Sequence, residues 1–584
     1  MLSLVAACSY LLLAGWQVQA SLDEPVRYID LLNGRTKKVV NEGNSVVRQG
    51  SRLYRDNYDD IQELYLTQRL DHFDPLNDQT LEQRYFVTDR YSRNVEDPLS
   101  SVVFLCVGGE GPGFDESVLV DSVHCSGDML ELAHTLSTSH QIRVYVYALE
   151  HRYYGSSYPT FPNGESPVTN QNLKYLSSRQ ALEDLAHFVQ TISESILHSS
   201  NSTSTGQKLQ WITFGGSYPG YMAAYARLKY PHLIHAAVSS SAPLKLQVDF
   251  PEYYGRVGLD LKYPKVGGSR ECWDIVKQGH KQAVAKLQKH PEELAQLFNV
   301  CDASTALLSK RNQELFLGDG LIYIPAQSND PDCAGDTNDD DGEDPDLCNI
   351  ERLCGYMIHA KIGIGDVNDN NASPKTELDI LADVARKQRG GDVTEECVEV
   401  DWEATLRELT EPVVEGFGMR SWLWQTCTEF GFYQTCVDED TCPYAASYHL
   451  VDMDLEICKV AFGITNVYDN VQATLDHYGG LDIVGGSRVL SVNGNVDPWS
   501  ELAVQVSPKD SLPATMVQGA SHHFWTHPVK STDEPEIIQV RKYIYSVVMD
   551  WLGVIDLDDI GNGQDGPQQT LALRGSRTKR ASIH

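Results

Sequence analysis

Long apolar runs alternate with helical segments in the first half of the chain. The stretches SVVFLCVGG at residues 101–109 and IRVYVYALEHR at residues 142–152 are continuous and rich in β-branched residues, which predicts buried strands. Segment 176–196 has apolar residues at helical spacing, and residues 211–243 follow the order strand, helix, strand. Apolar strands separated by helices are typical of a parallel sheet that helices cover on both faces.

The alternation stops near residue 250 and returns near residue 487. Residues 250–465 have the patterns of helices and irregular loops, and they contain ten of the thirteen cysteines. The acidic stretch 328–346 is predicted to be a solvated loop. Strand patterns resume at 487–499 and 514–524, and residues 537–552 form a predicted amphipathic helix. The sequence therefore predicts a mostly parallel sheet that a large helical insertion interrupts.

This pattern divides the chain into consecutive segments. They are a signal peptide (1–20), an irregular N-terminal segment (21–60), the first part of an α/β domain (61–255), an inserted helical cap domain (256–465), the second part of the α/β domain (466–555) and a disordered tail (556–584). The first segment has no charge and ends in Val18-Gln19-Ala20, a small-residue cleavage pattern, although the usual positive start is absent. A signal anchor is the alternative. No later segment reaches the roughly 18 apolar residues that cross a bilayer.

Charge and cysteine content narrow the partners and the compartment. The formal net charge of −34 argues against a nucleic-acid partner, because binding a duplex requires cationic side chains. Thirteen cysteines less Cys8 of the predicted signal peptide leave twelve, and an even number in an oxidising compartment predicts disulfides. Cys436 and Cys442 are close enough in sequence to close a small loop. Asn201 and Asn371 begin predicted glycosylation sites.

We expect no metal and no cofactor. The cysteine and histidine spacings do not resemble a zinc site. Segment 366–377 places Asp366 and Glu377 at the first and last ligand positions of a calcium loop, but Asn371 stands where that loop requires glycine. A solvated acidic loop is the preferred interpretation.

The segment GGSYPG connects a predicted strand to an alanine-rich helix. A strand, a tight Gly-x-Ser-x-Gly turn and a helix form the nucleophile turn of α/β hydrolases. Gly215 matches the first glycine and Ser217 the nucleophile, whereas Pro219 replaces the second glycine. Proline is tolerated in the first turn of a helix, because its missing N–H would have no partner within the helix. The sequence therefore predicts an α/β-hydrolase fold with Ser217 as nucleophile; the alternative is a glycine turn with an idle serine.

A serine nucleophile needs a base, and the base needs an acid that orients it. In α/β hydrolases these residues follow in the order Ser, Asp or Glu, His. Asp497 follows one predicted strand and His522 follows the next. The predicted catalytic residues are therefore Ser217, Asp497 and His522. His523 is the rival base, and His527 is a weaker alternative because it is farther from the strand.

Two backbone N–H groups are predicted to bind the oxyanion. One belongs to Tyr218, the residue after the nucleophile. The other belongs to the glycine loop at residues 107–116, where Gly109 is the candidate and a plain tight turn is the alternative. Glu110 and Glu429 either bind a substrate amine or pack within the structure.

Several stretches that run in order along the chain resemble one peptidase family. They are GGEGP (108–112), LEHRYYGSSYP (149–159), YLSSRQALEDLA (175–186), GGSYPGYMAAYARLKYPH (215–232), WQTCTEFGFYQT (424–435), NGNVDPW (493–499) and GASHHF (519–524). They resemble the serine peptidases that include lysosomal Pro-Xaa carboxypeptidase, dipeptidyl peptidase II and thymus-specific serine protease. GGEGP and the order Gly-Ala-Ser-His favour the thymus-specific branch.

The resemblance implies an α/β hydrolase with a helical insertion over the active site, and it implies that Ser217, Asp497 and His522 form the triad. Known members are exopeptidases, and the two characterised types cleave after proline at acid pH in lysosome-like compartments. We therefore expect peptide substrates, with proline-containing peptides as candidates, and a secreted or lysosomal location. A carboxylesterase or lipase on the same fold and an inactive secreted binding protein are the alternatives. A homodimer is a candidate assembly.

Overall fold

The computed structural model describes residues 58–93, 95, 100–199, 209–333, 347–363, 373–389, 397–483 and 485–554. The predicted signal peptide, the predicted tail, most of the acidic loop and both predicted glycosylation sites, Asn201 and Asn371, lie outside the described residues. Within the described part of the chain, no helix combines the length and the apolar character that crossing a membrane requires.

An eight-stranded sheet forms the centre of the structure. The described residues contain ten strands, of which all but β7 and β8 belong to this sheet. They are β1 (Ile61–Arg69), β2 (Thr80–Thr88), β3 (Ser101–Val107), β4 (Arg143–Leu149), β5 (Gln210–Gly216), β6 (Ile234–Ser240), β7 (Gln247–Asp249), β8 (Gly431–Tyr433), β9 (Val489–Gly494) and β10 (Ala514–Val517). The order across the sheet is β1-β2-β4-β3-β5-β6-β9-β10, and β7 pairs with β8 separately. The pairs β1–β2 and β2–β4 are antiparallel, and all other neighbours in the large sheet are parallel. The predicted mostly parallel sheet is confirmed.

Helices cover both faces of this sheet. The α-helices are α1 (Glu131–Ser139), α2 (Ser178–Ser199), α3 (Ser217–Lys229), α4 (Glu252–Asp260), α5 (Arg270–Lys289), α6 (Pro291–Leu297), α7 (Lys310–Leu317), α8 (Ile350–Ile362), α9 (Glu377–Gln388), α10 (Trp402–Thr410), α11 (Met419–Gln425), α12 (Asp452–Phe462), α13 (Val467–Tyr478) and α14 (Pro535–Leu552). Two π-helical turns, Ser126–Leu130 and Thr426–Phe430, precede α1 and follow α11.

The packing of β3 explains why its sequence is continuously apolar. All seven residues of β3 are buried. Val103 and Leu105 belong to a hydrophobic cluster that includes residues of α2 and α3, whereas Val102 and Phe104 belong to a second cluster with residues of α1 and α14. Successive side chains of a strand point to opposite faces, so both faces must be apolar. Each fully buried side chain of this size contributes roughly 1.5–3 kcal/mol.

The chain between β6 and β9 forms the helical insertion. Its described residues form helices α4 to α13 and the small β7–β8 pair. The domain boundaries at 255/256 and 465/466 remain predictions. Helix α13 begins beyond the second boundary and packs against the π-helical turn Thr426–Phe430 of the insertion.

Six disulfides join the cysteines of the described residues. They link Cys106 to Cys125, Cys272 to Cys354, Cys301 to Cys397, Cys333 to Cys348, Cys427 to Cys458 and Cys436 to Cys442. The last is the pair for which sequence spacing predicted a small loop. Five of the six lie in the insertion.

Candidate active site

The turn between β5 and α3 places Ser217 at the carboxyl end of the central sheet. Strand β5 ends at Gly216, and α3 begins at Ser217. Ser217 has a φ of 58°, a left-handed conformation that is uncommon for a residue with a side chain. Such strain persists only where the surroundings enforce it, and it is typical of the nucleophile turn of α/β hydrolases.

Close packing explains why small residues surround this serine. A Cβ atom on Gly215 would lie 2.4 Å from the backbone of Pro219, so the strand and the helix would have to separate. A Cβ atom on Gly216 would lie 2.8 Å from the His523 ring. The residue before Ser217 is therefore packed directly against the histidine segment that follows β10. Pro219 lies in the first turn of α3, where the loss of its N–H is harmless.

Asp497 and His522 are joined by a hydrogen bond in the interior. Asp497 follows β9, and its Oδ1 accepts a hydrogen bond of 2.9 Å from the Trp499 N–H. Its Oδ2 lies 2.9 Å from Nδ1 of His522. Both residues are buried, at 0% and 3% exposure. A carboxylate accepts, so Nδ1 carries the proton, and Nε2 of the neutral imidazole is the proton acceptor.

His523 occupies a different environment from His522. The His523 N–H donates to Oγ of Ser241 at 2.9 Å, and its Nδ1 lies 3.1 Å from Oγ1 of Thr526. Its ring packs against Gly216. Because the bond to Asp497 belongs to His522, the geometry favours His522 over the rival His523 as the base.

Gln327 of the insertion supports the histidine, a contact that the sequence did not predict. Its carbonyl oxygen accepts a hydrogen bond of 3.1 Å from the His522 N–H. Its side-chain Oε1 accepts from the Tyr253 hydroxyl and from Nε1 of Trp499, both at 2.8 Å. No motif surrounds Gln327, so only the folded structure reveals this role.

The glycine loop after β3 lies against the nucleophile turn. The Gly108 N–H donates to the Leu149 carbonyl at 2.8 Å and so completes the sheet. A Cβ atom on Gly109 would lie 2.5 Å from Cγ of Pro219 and 3.3 Å from the Tyr218 ring. The glycine loop is therefore packed against the side chains of the first turn of α3, and the oxyanion role of the Gly109 and Tyr218 N–H groups stays a prediction.

The carboxylate of Glu429 accepts hydrogen bonds at the start of α2. It accepts from the Ser178 N–H at 2.8 Å and from the Ser178 hydroxyl at 2.7 Å. Burial raises the pKa of Glu429 to about 7, and the bonds from Ser178 oppose that rise. These contacts favour packing over the alternative role of Glu429 as a ligand for a substrate amine.

A cavity of about 130 Å³ lies within the insertion and reaches Trp499. Its aromatic lining is Trp402, Trp422, Phe432, Tyr433 and Trp499. The Trp499 ring is centred 6.4 Å from the His522 ring.

A buried histidine between two carboxylates also lines this cavity. Nδ1 of His449 lies 2.7 Å from Asp319, and Nε2 lies 3.1 Å from Asp454. Burial disfavours the charged imidazole, but the two carboxylates outweigh it and raise the pKa of His449 well above its ordinary value. The two carboxylates therefore favour the imidazolium form of His449.

The fold and the site together define the class of this protein, a serine-type hydrolase of the α/β-hydrolase fold. The chain belongs to the peptidase family described as Serine carboxypeptidase S28, whose family profile matches residues 68–544. It is therefore a serine-type peptidase, and the family inferred from the sequence stretches is confirmed.

Curated relatives agree with this assignment along most of the chain. Thymus-specific serine protease of Mus musculus is 34% identical over 492 residues, which cover 84% of this chain and 87% of the relative. Lysosomal Pro-X carboxypeptidase of Mus musculus is 24% identical over 509 residues, covering 84% and 89% respectively. Among solved structures, the peroxisomal alpha-beta-hydrolase Lpx1 of Saccharomyces cerevisiae is 11% identical over 88% of this chain and 94% of its own, with a TM-score of 0.32. That score is too low to identify a fold by itself, so we rely on the strand order and the nucleophile turn.

Proposed function

We propose that this protein is a secreted or lysosomal exopeptidase that cuts peptides on the carboxyl side of proline, with Ser217, Asp497 and His522 as its catalytic triad. The observation that carries this proposal is the buried hydrogen bond of 2.9 Å between Asp497 and His522 beside a strained serine turn. The contact between Gly216 and His523 supports the approach of His522 to Ser217.

The proposed reaction proceeds through an acyl-enzyme. Nε2 of His522 takes the proton of the Ser217 hydroxyl as Oγ attacks the scissile carbonyl carbon. Asp497 holds the proton on Nδ1 and stabilises the imidazolium that forms. The N–H groups of Tyr218 and Gly109 donate to the oxyanion, each contributing roughly 3 kcal/mol. The imidazolium protonates the departing amine, and water, deprotonated by His522, then releases the acyl group.

Two features support an exopeptidase with a preference for proline. Gln327 connects the insertion directly to the backbone of His522, which is consistent with an insertion that restricts the site to chain ends. The aromatic cavity that reaches Trp499 suits a pyrrolidine ring. The name of one relative, lysosomal Pro-X carboxypeptidase, points to the same substrate class.

The proposed location is supported by the disulfides and the predicted signal peptide. Six disulfides are typical of secreted and lysosomal proteins, because thiols stay reduced in the cytosol. Names of relatives include lysosomal and extracellular peptidases.

A fluorophosphonate probe tests the nucleophile. We expect the probe to label the wild-type enzyme on Ser217, and we expect Ser217→Ala to lose labelling and at least about 10³-fold in kcat/KM. Ser500→Ala is the matched control, because Ser500 is buried and its hydroxyl has no hydrogen-bond partner among the described residues. Labelling and turnover that survive in Ser217→Ala would contradict the proposal.

Blocked peptides test the exopeptidase assignment. A peptide with proline at its second and second-last positions is offered with its amino end acetylated, with its carboxyl end amidated, and with both ends blocked. A carboxypeptidase requires the free carboxyl end, and a dipeptidyl peptidase requires the free amino end. Cutting of the doubly blocked peptide would contradict an exopeptidase. Faster turnover of a short-chain nitrophenyl ester than of every peptide would favour the esterase alternative.

A further inference from the structure

The side chain of Tyr218 is held by a chain of hydrogen bonds whose directions follow from the chemistry of each group. Nδ1 of His151 lies 2.7 Å from the Arg152 carbonyl, which only accepts, so Nδ1 carries the proton. Nε2 of the neutral ring therefore accepts, and the Tyr218 hydroxyl donates to it at 3.0 Å. Burial lowers the pKa of His151 to about 4, which keeps the ring neutral above that pH.

The same series of hydrogen bonds continues into the insertion. Nε2 of Gln425 donates to the Tyr218 hydroxyl oxygen at 3.1 Å. Oε1 of Gln425 accepts from the Tyr154 hydroxyl at 2.6 Å. Tyr218 therefore donates once and accepts once, and every direction in the chain is consistent. This series of hydrogen bonds joins three elements: the loop after β4, the first turn of α3, and α11 of the insertion.

The ring of Tyr218 is also fixed by packing. Its centroid lies 5.1 Å from the Phe430 ring, 5.5 Å from the His151 ring and 5.9 Å from the Trp422 ring. Tyr218 is 2% exposed and Gln425 is 0% exposed. The Gln425 amide and the Tyr218 hydroxyl are therefore hydrogen-bonded to each other in the interior.

Helix α11 contacts both Tyr218 and the aromatic cavity. Met419, Trp422, Leu423 and Thr426 line the cavity at the spacing of one helical face. Gln425 does not line it and holds Tyr218 instead. Trp422 therefore contacts both the cavity and the Tyr218 ring.

We propose that the Tyr218 hydroxyl and the Gln425 amide are positioning groups that hold the Tyr218 N–H in place for the oxyanion. This inference rests on the proposed function. Ser217 is strained at a φ of 58°, so the peptide plane that carries the Tyr218 N–H needs support from outside the turn. A displacement of about 1 Å at such a site costs up to roughly 100-fold in rate.

Tyr218→Phe tests the inference, with Tyr225→Phe as the matched control. Tyr225 is buried on the same helix, and its hydroxyl donates to the Gly480 carbonyl at 3.1 Å, away from the nucleophile. For Tyr218→Phe we expect kcat per fluorophosphonate-labelled site to fall roughly 10- to 100-fold with KM within about threefold. The Ki of a peptidyl boronate should rise by the same factor, because the boronate adduct resembles the tetrahedral intermediate. Counting labelled sites removes any loss of folded enzyme.

Gln425→Met provides a second variant if Tyr218→Phe folds poorly, because it removes the amide at similar volume. We expect it to reproduce the fall in kcat, and we expect the double variant to be no worse than the poorer single variant. Equal kcat and boronate affinity in Tyr218→Phe and Tyr225→Phe would overturn the positioning role while leaving the inactivity of Ser217→Ala, and hence the proposed function, intact. Activity that survives in Ser217→Ala would overturn both.

Discussion

Replacing Asp497 by asparagine isolates its effect on the tautomer of His522. The carboxylate accepts two hydrogen bonds in the interior, one from the Trp499 N–H and one from Nδ1 of His522. Asparagine has one oxygen and one NH2 group. Because the backbone N–H of Trp499 only donates, the asparagine oxygen must face it, and the NH2 group then faces His522.

This arrangement favours the opposite tautomer of the His522 ring. An NH2 group opposite Nδ1 forces Nδ1 to accept, which moves the proton of the neutral ring to Nε2. A protonated Nε2 cannot take the proton of Ser217. From the same change in other serine hydrolases we expect a loss of about 10⁴ in kcat, or about 5.5 kcal/mol of transition-state stabilisation. The near-equal size of the two side chains should leave the fold intact.

The assay is kcat/KM on a proline-containing peptide, normalised to the folded fraction by circular dichroism. Asp128→Asn is the control, because Asp128 is a buried carboxyl in the π-helical turn Ser126–Leu130, outside the site. We expect Asp128→Asn to retain the wild-type rate. A loss of less than about tenfold in Asp497→Asn would refute the role of Asp497 as the orienting acid.

Three further changes test the nucleophile turn, a buried carboxyl outside the site and a disulfide of the insertion. Gly216→Ala should lower kcat by about 100-fold, because the new Cβ lies 2.8 Å from the His523 ring; steady-state kinetics measures this. Burial raises the pKa of Asp128 from 3.8 to about 7. Between these pH values the folded state keeps a proton that the unfolded state has lost, so the free energy of unfolding falls as the pH rises. Asp128→Asn should therefore reduce the fall in stability from pH 4 to pH 8, measured by urea unfolding, by about 1.4 kcal/mol for each pH unit that separates the folded and unfolded pKa values of Asp128. Replacing Cys427 and Cys458 by alanine opens a loop of separation 31 and should cost about 3–4 kcal/mol in the same assay. An unchanged rate, an unchanged pH slope or an unchanged midpoint would contradict the respective expectation.

The sequence predicted the parts of the fold that local pattern determines. The run at β3 is apolar on both faces because both faces are covered, and the glycines before Ser217 are there because a Cβ atom would collide. Asp497 and His522 were identified from their places after successive strands. Strand β1 was not predicted, because most of its residues are exposed at an edge of the sheet and carry polar side chains.

Contacts between residues that are far apart in the sequence could not be predicted. Gln425 lies 207 residues from Tyr218, and Gln327 lies in a loop of the insertion with no surrounding motif. Such hydrogen bonds depend on how the insertion docks onto the sheet, and side-chain type alone does not determine docking. Most of the disulfide pairing could not be deduced either. Twelve cysteines allow many pairings, and the sequence does not show which cysteines the fold brings together.

A crystal structure of the covalent fluorophosphonate adduct tests the central claim most directly. We expect phosphorus bonded to Oγ of Ser217, and its oxygen about 2.7–3.1 Å from the N–H groups of Tyr218 and Gly109. Nε2 of His522 should lie within hydrogen-bond distance of Oγ. An adduct on another residue, or His522 turned away from Ser217, would contradict the account.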